Sequence, residues 1–230
     1  MQKDGATYWV GAAVPLGTVD FSKVQVYYHP TVVNGRVVHA ADTDYPTFTG
    51  GWSGSLQRYV AMQGAQLAGA RLTPLIVPFM TMAAHSGKAP AWMFATDPVG
   101  TINAIMSAVA AEATGGMINN IAVSQIGISS FSSGIGAMRL FINSFNGTGL
   151  IVEVTDYDSP FIIAEPKAIT RSTNAVGRVF SQVASPALEF EWVTMPAANC
   201  RDVATFRDKG VHAQIGWMTF HMASIGSVIV

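Results

Sequence analysis

Residues 126–136 read Ile-Gly-Ile-Ser-Ser-Phe-Ser-Ser-Gly-Ile-Gly, and this stretch decides the fold. An apolar, β-branched run over residues 121–128 leads into it and an amphipathic segment follows, so the stretch joins a buried strand to a helix. The small residues Ser130 and Gly134 stand two positions before and two positions after Ser132. A tight strand-to-helix turn needs small residues there, because its backbone brings neighbouring chain close. The pattern predicts that Ser132 presents its hydroxyl above the end of a sheet, at a helix N-terminus.

Apolar runs and segments of helical period alternate along the rest of the chain. The predicted strands are residues 24–28, 72–79, 121–128, 150–154 and 188–193. The predicted helices are residues 55–67, 98–113, 135–145 and 175–183, and a last one that carries Ile215, Met218, Met222 and Ile225. This alternation predicts an α/β fold: a mainly parallel central sheet with helices on both faces, compact and without a large cap.

Shorter signals refine this outline. Residues 10–14 and 37–40 are candidates for additional edge strands. Asn34-Gly35 is a hairpin dipeptide that favours pairing of the short runs on either side of it. Asp97-Pro98 is typical of a helix start, with an acidic N-cap followed by proline at the first helical position.

The composition excludes several classes of protein. Only 12% of the 230 residues are charged and 50% are hydrophobic, which excludes intrinsic disorder. A net charge of -1 gives no electrostatic footprint for nucleic acid and no basic cluster for an anionic membrane surface. No linker interrupts the chain, so residues 1–230 are expected to form a single domain.

The longest uncharged stretch, residues 113–138, is long enough to span a bilayer but carries many amides and hydroxyls, so no membrane span is predicted. The N-terminus shows no basic region followed by an apolar run, so no signal peptide is expected. The single Cys200 excludes an intramolecular disulfide and a cysteine-rich zinc site. No dinucleotide, phosphate-loop or histidine-pair pattern is complete, and the sequence predicts neither cofactor nor metal.

The stretch around Ser132 resembles the nucleophile elbow of the α/β-hydrolase family, Gly-x-Ser-x-Gly, with Ser130 in place of the first glycine. The resemblance implies that Ser132 is the nucleophile and that the amide of Ser133 helps to stabilise an oxyanion. The second oxyanion donor in the family comes from a loop after an early strand. Tyr27 to Thr31 resembles that loop, and because Pro30 has no N–H, the amide of Thr31 is the expected donor.

The family's acid and histidine follow the serine in chain order. Asp158 and Asp156 come after the predicted strand 150–154, and Asp158, two residues before a proline, better resembles the family's acid loop, with Asp156 as the alternative. Fewer strand-helix units than usual separate Ser132 from these residues. The acid therefore follows the strand next to the elbow, or one unit is missing. His212 precedes the predicted final helix, where the family's histidine belongs, whereas His221 falls within that helix's period.

The resemblance implies a serine hydrolase that cleaves a carboxylic ester of an apolar acyl group, and its partner would be a small-molecule or lipid ester substrate. Two alternatives remain: a non-catalytic α/β module that binds a hydrophobic partner, and an acyltransferase that uses the same triad. Buried strands explain part of the missing charge. An apolar substrate cleft or a homo-oligomer interface would account for the rest.

Overall fold

The structure, a computed structural model, describes residues 1–3, 6–8, 10–28, 32–33, 36–37, 72–78, 93–131, 134–157, 175–181, 204–205 and 227–229. Seven strands of the described part form one sheet. They are β3 (Val10–Ala13), β4 (Lys23–Tyr28), β7 (Leu75–Pro78), β8 (Gln125–Phe131), β9 (Ile151–Tyr157), β10 (Val176–Ser181) and β11 (Ala204–Thr205). Their spatial order is β11-β10-β9-β8-β4-β7-β3. Two antiparallel pairs stand apart from it: β1 (Gln2–Lys3) with β2 (Ala6–Thr7), and β5 (Val32–Val33) with β6 (Arg36–Val37). The helices are α1 (Pro98–Thr114) and α2 (Ile135–Ser144).

Every pair of neighbours in the seven-stranded sheet is parallel except β3 and β7. The predicted α/β class with a mainly parallel sheet is therefore confirmed. The edge strand at residues 10–14 and the hairpin across Asn34-Gly35 are confirmed as well. Helices on both faces of the sheet stay a prediction, because the segments at residues 55–67 and 215–225 lie outside the described residues. So does the predicted strand at residues 188–193.

Strands β4 and β8 form the centre of the sheet because their sequences are apolar enough to be buried. Val24, Val26 and Tyr28 alternate along one face of β4, which we call the helix face, and all are fully buried. Their neighbours in β8 are the residues paired with them in register, among them Ile128 beside Val26. Helix α2 packs on this face, and its Phe141 meets the ring of Tyr28 edge-on, with ring centroids 6.1 Å apart. Buried residues of α1 belong to the same core cluster.

Strand β8 begins at Gln125 and runs to Phe131, later than the predicted residues 121–128. The preceding residues are held by side chains instead of by a neighbouring strand. The amide of Ile121 donates to Ser107 Oγ at 2.9 Å, and the amide of Val123 donates to Asn103 Oδ1 at 2.8 Å. Both acceptors lie on α1, so these residues belong to the helix-to-strand connection.

Residues 175–183 were predicted to be a helix, and this is wrong, because Val176–Ser181 forms strand β10. The strand pairs in parallel with β9, with Arg178 beside Thr155. Arg178 is fully buried, and its guanidinium lies 3.5 Å from Glu153 Oε1. A charged residue at that position interrupts the apolar pattern expected of a buried strand, and pairing with Glu153 on β9 offsets part of the cost of burying it.

Buried polar side chains cross the face of the sheet opposite the helix face and hold residues 227–229 against it. Gln25 Nε2 donates to Ser227 Oγ at 3.1 Å, and Ser227 Oγ donates to Glu153 Oε2 at 2.9 Å. Glu153 also pairs with Arg178. We call Gln25, Glu153, Arg178 and Ser227 the polar strap. It ties β4, β9 and β10 to a segment that is distant in sequence.

In the part of the chain that the structure describes, no helix is long and apolar enough to cross a membrane.

Candidate functional site

The end of β8 and the start of α2 are separated by only three residues. The strand runs to Phe131, the residue before Ser132, and α2 begins at Ile135. Gly134, the N-cap of α2, is buried and already has helical dihedral angles, φ −61° and ψ −18°. The predicted strand-to-helix connection is therefore present around Ser132, while Ser132 and Ser133 themselves lie outside the described residues.

The order of the strands indicates where a ligand would bind, at the carboxyl ends of two neighbouring strands. From β4 the chain goes to β7 on one side, and it then returns to β8 on the other side of β4. From β8 it continues away from β4, through β9 to β10 and β11. Crevices in open α/β sheets lie outside the carboxyl ends of two strands at which the direction of winding reverses. Here these strands are β4, which ends at Tyr28, and β8, which ends one residue before Ser132.

Asp156 is the one predicted site residue within the described part of the chain. The predicted strand 150–154 is longer in the structure and runs to Tyr157, so Asp156 lies inside β9 and not in the loop after it. Its side chain is fully buried. Strand β9 is the direct neighbour of β8, so Asp156 lies on the strand beside the one that ends before Ser132, and which aspartate serves as the acid stays a prediction.

Asp156 meets Ser130 across the two strands. The residues are register partners, and Ser130 Oγ donates to Asp156 Oδ1 in a long hydrogen bond of 3.5 Å. Ser130 is also fully buried. Sequence reasoning treated it only as a small residue before Ser132, because the register that brings it beside Asp156 cannot be read from local sequence. The structure thus assigns Ser130 a second feature: it is a hydroxyl donor to a buried carboxylate.

Tyr28 continues this row on the other side of Ser130. It pairs with Ser130 in the register of β4 and β8, and its side chain is fully buried. Burial raises the pKa of the Tyr28 phenol well above its usual range, because the phenolate would be poorly solvated there. The phenol therefore remains protonated. Tyr28, Ser130 and Asp156 form a row of three polar side chains just below the carboxyl edge of the sheet.

The other predicted site residues lie outside the described residues: Ser132, Ser133, Asp158, His212 and Thr31. Their positions in the sequence relative to described strands are known. Asp158 follows the last residue of β9, Thr31 precedes β5, and His212 comes seven residues after Thr205, the end of β11. The described residues hold no cluster of three or more His, Cys, Asp or Glu side chains that would bind a metal ion.

No family model and no curated protein matches the sequence. Among solved structures, the chain is similar to the crystal structure of Porphyromonas gingivalis dipeptidyl peptidase 4, with a TM-score of 0.46 and 10% sequence identity. The likeness covers 96% of this chain and 34% of the peptidase chain. The chain thus spans about a third of the length of the protein it matches, and a likeness this remote decides neither its fold nor its activity.

Proposed function

We propose that the protein is a serine hydrolase that cleaves a carboxylic ester of an apolar acyl group. The observation that carries the proposal is the position of Ser132. It directly follows the last residue of a central parallel strand, at the reversal of winding between β4 and β8, and α2 begins three residues later. A serine in such a strand-to-helix turn stands above the carboxyl edge of the sheet, with helix amides beside it.

The proposed reaction uses Ser132, His212 and an aspartate in succession. His212 removes the hydroxyl proton as Ser132 Oγ bonds to the acyl carbon, and the aspartate orients the imidazole and stabilises its charged form. The imidazolium then gives the proton to the departing alcohol, which leaves an acyl-enzyme. Water, deprotonated by the same imidazole, then attacks the acyl carbon. The bond between that carbon and Ser132 Oγ breaks, the carboxylic acid leaves, and the imidazolium returns its proton to Ser132 Oγ. The amides of Ser133 and Thr31 are the proposed donors to the oxyanion.

The preference for an apolar acyl group is supported by the scarcity of charge in the sequence. Only 12% of the residues are charged. An acyl chain that moves from water into apolar surroundings gains about 0.8 kcal/mol per buried methylene.

A fluorophosphonate probe tests the proposal, because it labels only an activated serine. We expect covalent labelling of the wild-type protein at Ser132, and we expect Ser132→Ala and His212→Ala to abolish it. Ser124→Ala is the matched control. Ser124 directly precedes β8, at the end opposite Ser132. Its hydroxyl donates to the carbonyl of Ser22 at 3.2 Å, and labelling of this variant should equal that of the wild type. Absence of labelling in the folded wild-type protein would contradict the hydrolase assignment.

A further inference from the structure

We propose that Ser130 and Asp156 form a positioning pair beneath the reactive turn, and that the triad acid is Asp158 and not Asp156. The inference rests on the proposed function, since it gives a role to two residues that flank the proposed nucleophile in space. It is carried by register, burial and the hydrogen bond between the two side chains.

Asp156 lies within β9 and not in the loop after it. The strand continues through Tyr157, so the Asp156 side chain leaves the sheet one residue before the carboxyl edge. Ser130, its register partner, donates to its Oδ1 atom at 3.5 Å. Both residues are fully buried. A triad acid must meet a histidine that arrives from a loop beyond that edge. Asp156 instead lies one residue below that edge, on the helix face of the sheet.

Ser130 stands two residues before Ser132 in the sequence. Only Phe131, the last residue of β8, separates the two. A hydrogen bond that fixes Ser130 against β9 fixes the end of the strand from which the proposed turn departs. Hydrolysis by an activated serine depends on placing its oxygen within a fraction of an ångström, and a misplacement of about 1 Å costs on the order of 100-fold in rate. A buried anchor two residues away is well placed to control this distance.

The residue types at positions 130 and 156 also favour a role for the pair. A carboxylate buried on the helix face requires hydrogen bonds to offset its lost hydration, and an aliphatic residue would pack there at less cost. Serine before the turn is also more than a small residue, since glycine or alanine would satisfy the space requirement without donating. A donor and an acceptor at paired positions of β8 and β9 therefore favour a positioning role for this pair over simple packing. Asp158 directly follows the last residue of β9 in sequence, and the proposal therefore assigns the triad acid to it.

The test compares Ser130→Ala, Asp156→Asn and Asp158→Asn by the rate of fluorophosphonate labelling at Ser132, measured well below each variant's melting temperature. Asparagine keeps an acceptor oxygen for Ser130, so Asp156→Asn should stay within about tenfold of the wild type, with the same pH midpoint. Ser130→Ala should be slowed about tenfold. Asp158→Asn should lose about 10⁴-fold, the cost of replacing a triad aspartate by asparagine. The double variant Ser130→Ala/Asp156→Asn should be no slower than Ser130→Ala, because the two residues act through one bond.

Ser129→Ala is the matched control. Ser129 is the adjacent residue, equally buried, and its hydroxyl bonds to the carbonyl of Val26 at 3.4 Å. It lies on the opposite face of β8, and we expect labelling at the wild-type rate. Either of two results overturns the proposal. If Asp156→Asn loses about 10⁴-fold and shifts the pH midpoint, Asp156 is the triad acid. If Ser130→Ala is labelled at the wild-type rate, the pair does not position Ser132.

Amide hydrogen exchange separates failure of this inference from failure of the proposed function. Ser130→Ala should speed exchange in the peptide that ends at Phe131 several-fold more than Ser129→Ala does. This readout needs no enzymatic activity, so it tests the pair even if the wild-type protein is never labelled. Equal exchange in the two variants would overturn the positioning role. An unlabelled wild-type protein with faster exchange in Ser130→Ala would overturn only the hydrolase assignment.

Discussion

Gly127 shows how a single residue permits a long-range contact. It lies in β8 beside Gln25, whose side chain crosses it to reach Ser227. A Cβ atom at Gly127 would lie 2.6 Å from Gln25 Cδ, so Gln25 would have to leave Ser227 or β8 would have to shift. We expect Gly127→Ala to lower the free energy of unfolding by about 1–3 kcal/mol, measured by chemical denaturation.

Gly136 supplies the control for that substitution. It lies within α2, and a Cβ atom there would meet nothing within 4 Å. Because alanine favours a helix interior over glycine, Gly136→Ala should raise stability by about 0.5–1 kcal/mol. If both alanines had the same effect, the crossing of Gln25 over Gly127 would not be what constrains β8.

The site residues differ in how well local sequence predicts them. Ser132 is predicted by the small residues Ser130 and Gly134, and the structure confirms the strand before it and the helix after it. The contact between Ser130 and Asp156 is not predicted, because it depends on the register of two parallel strands joined by a helix. Sequence also placed Asp156 after its strand, since the polar residues 155 and 156 resemble a loop more than a buried strand end.

At the scale of elements, the N-terminus of α1 is specified by Asp97. This residue has left-handed dihedral angles, φ 49° and ψ 64°, and its Oδ1 accepts a hydrogen bond from the amide of Gly100 at 2.9 Å. Asp97→Ala should cost about 1–2 kcal/mol in unfolding free energy, because it removes the cap and strains the left-handed backbone. Asparagine also caps helices and tolerates left-handed dihedral angles, so Asp97→Asn should remain within about 0.5 kcal/mol of the wild type. Thermal unfolding of the wild type and both variants measures these differences. An equal loss in both variants would contradict the capping role.

The elements that local signals specify are also those that the sequence predicts. Three such signals each act over a few residues. They are the N-cap and first-position proline of α1, the β-branched residues of β4 and the Asn-Gly dipeptide before β6. Strand β10 is different. Its residues fit a helical period, and Arg178 at its centre is incompatible with an apolar buried strand unless Glu153 is known to lie beside it. That partner comes from another strand, so no window of local sequence contains the information.

At the scale of the whole molecule, the two faces of the sheet are built differently. The helix face is apolar until its last row, whereas the opposite face carries the polar strap. Four charged side chains of the described part of the chain are buried: Arg139, Glu153, Asp156 and Arg178. Glu153 and Arg178 pair with each other there, which offsets part of the cost of burying their charges.

The polar strap couples the sheet to residues 227–229, and Glu153 is its centre. Its Oε2 atom accepts hydrogen bonds from Ser227 Oγ and from the amide of Val228, both at 2.9 Å, and its Oε1 atom faces Arg178. Glu153→Gln removes the charge beside a buried guanidinium and should lower the free energy of unfolding by about 3 kcal/mol. It should also speed amide exchange of Val228. Glu112→Gln, on the exposed face of α1, is the control and should change stability by less than about 0.5 kcal/mol. If the two variants unfolded alike, the strap would not be what holds residues 227–229 to the sheet, and their attachment would have to come from apolar contacts such as that of the buried Ile229.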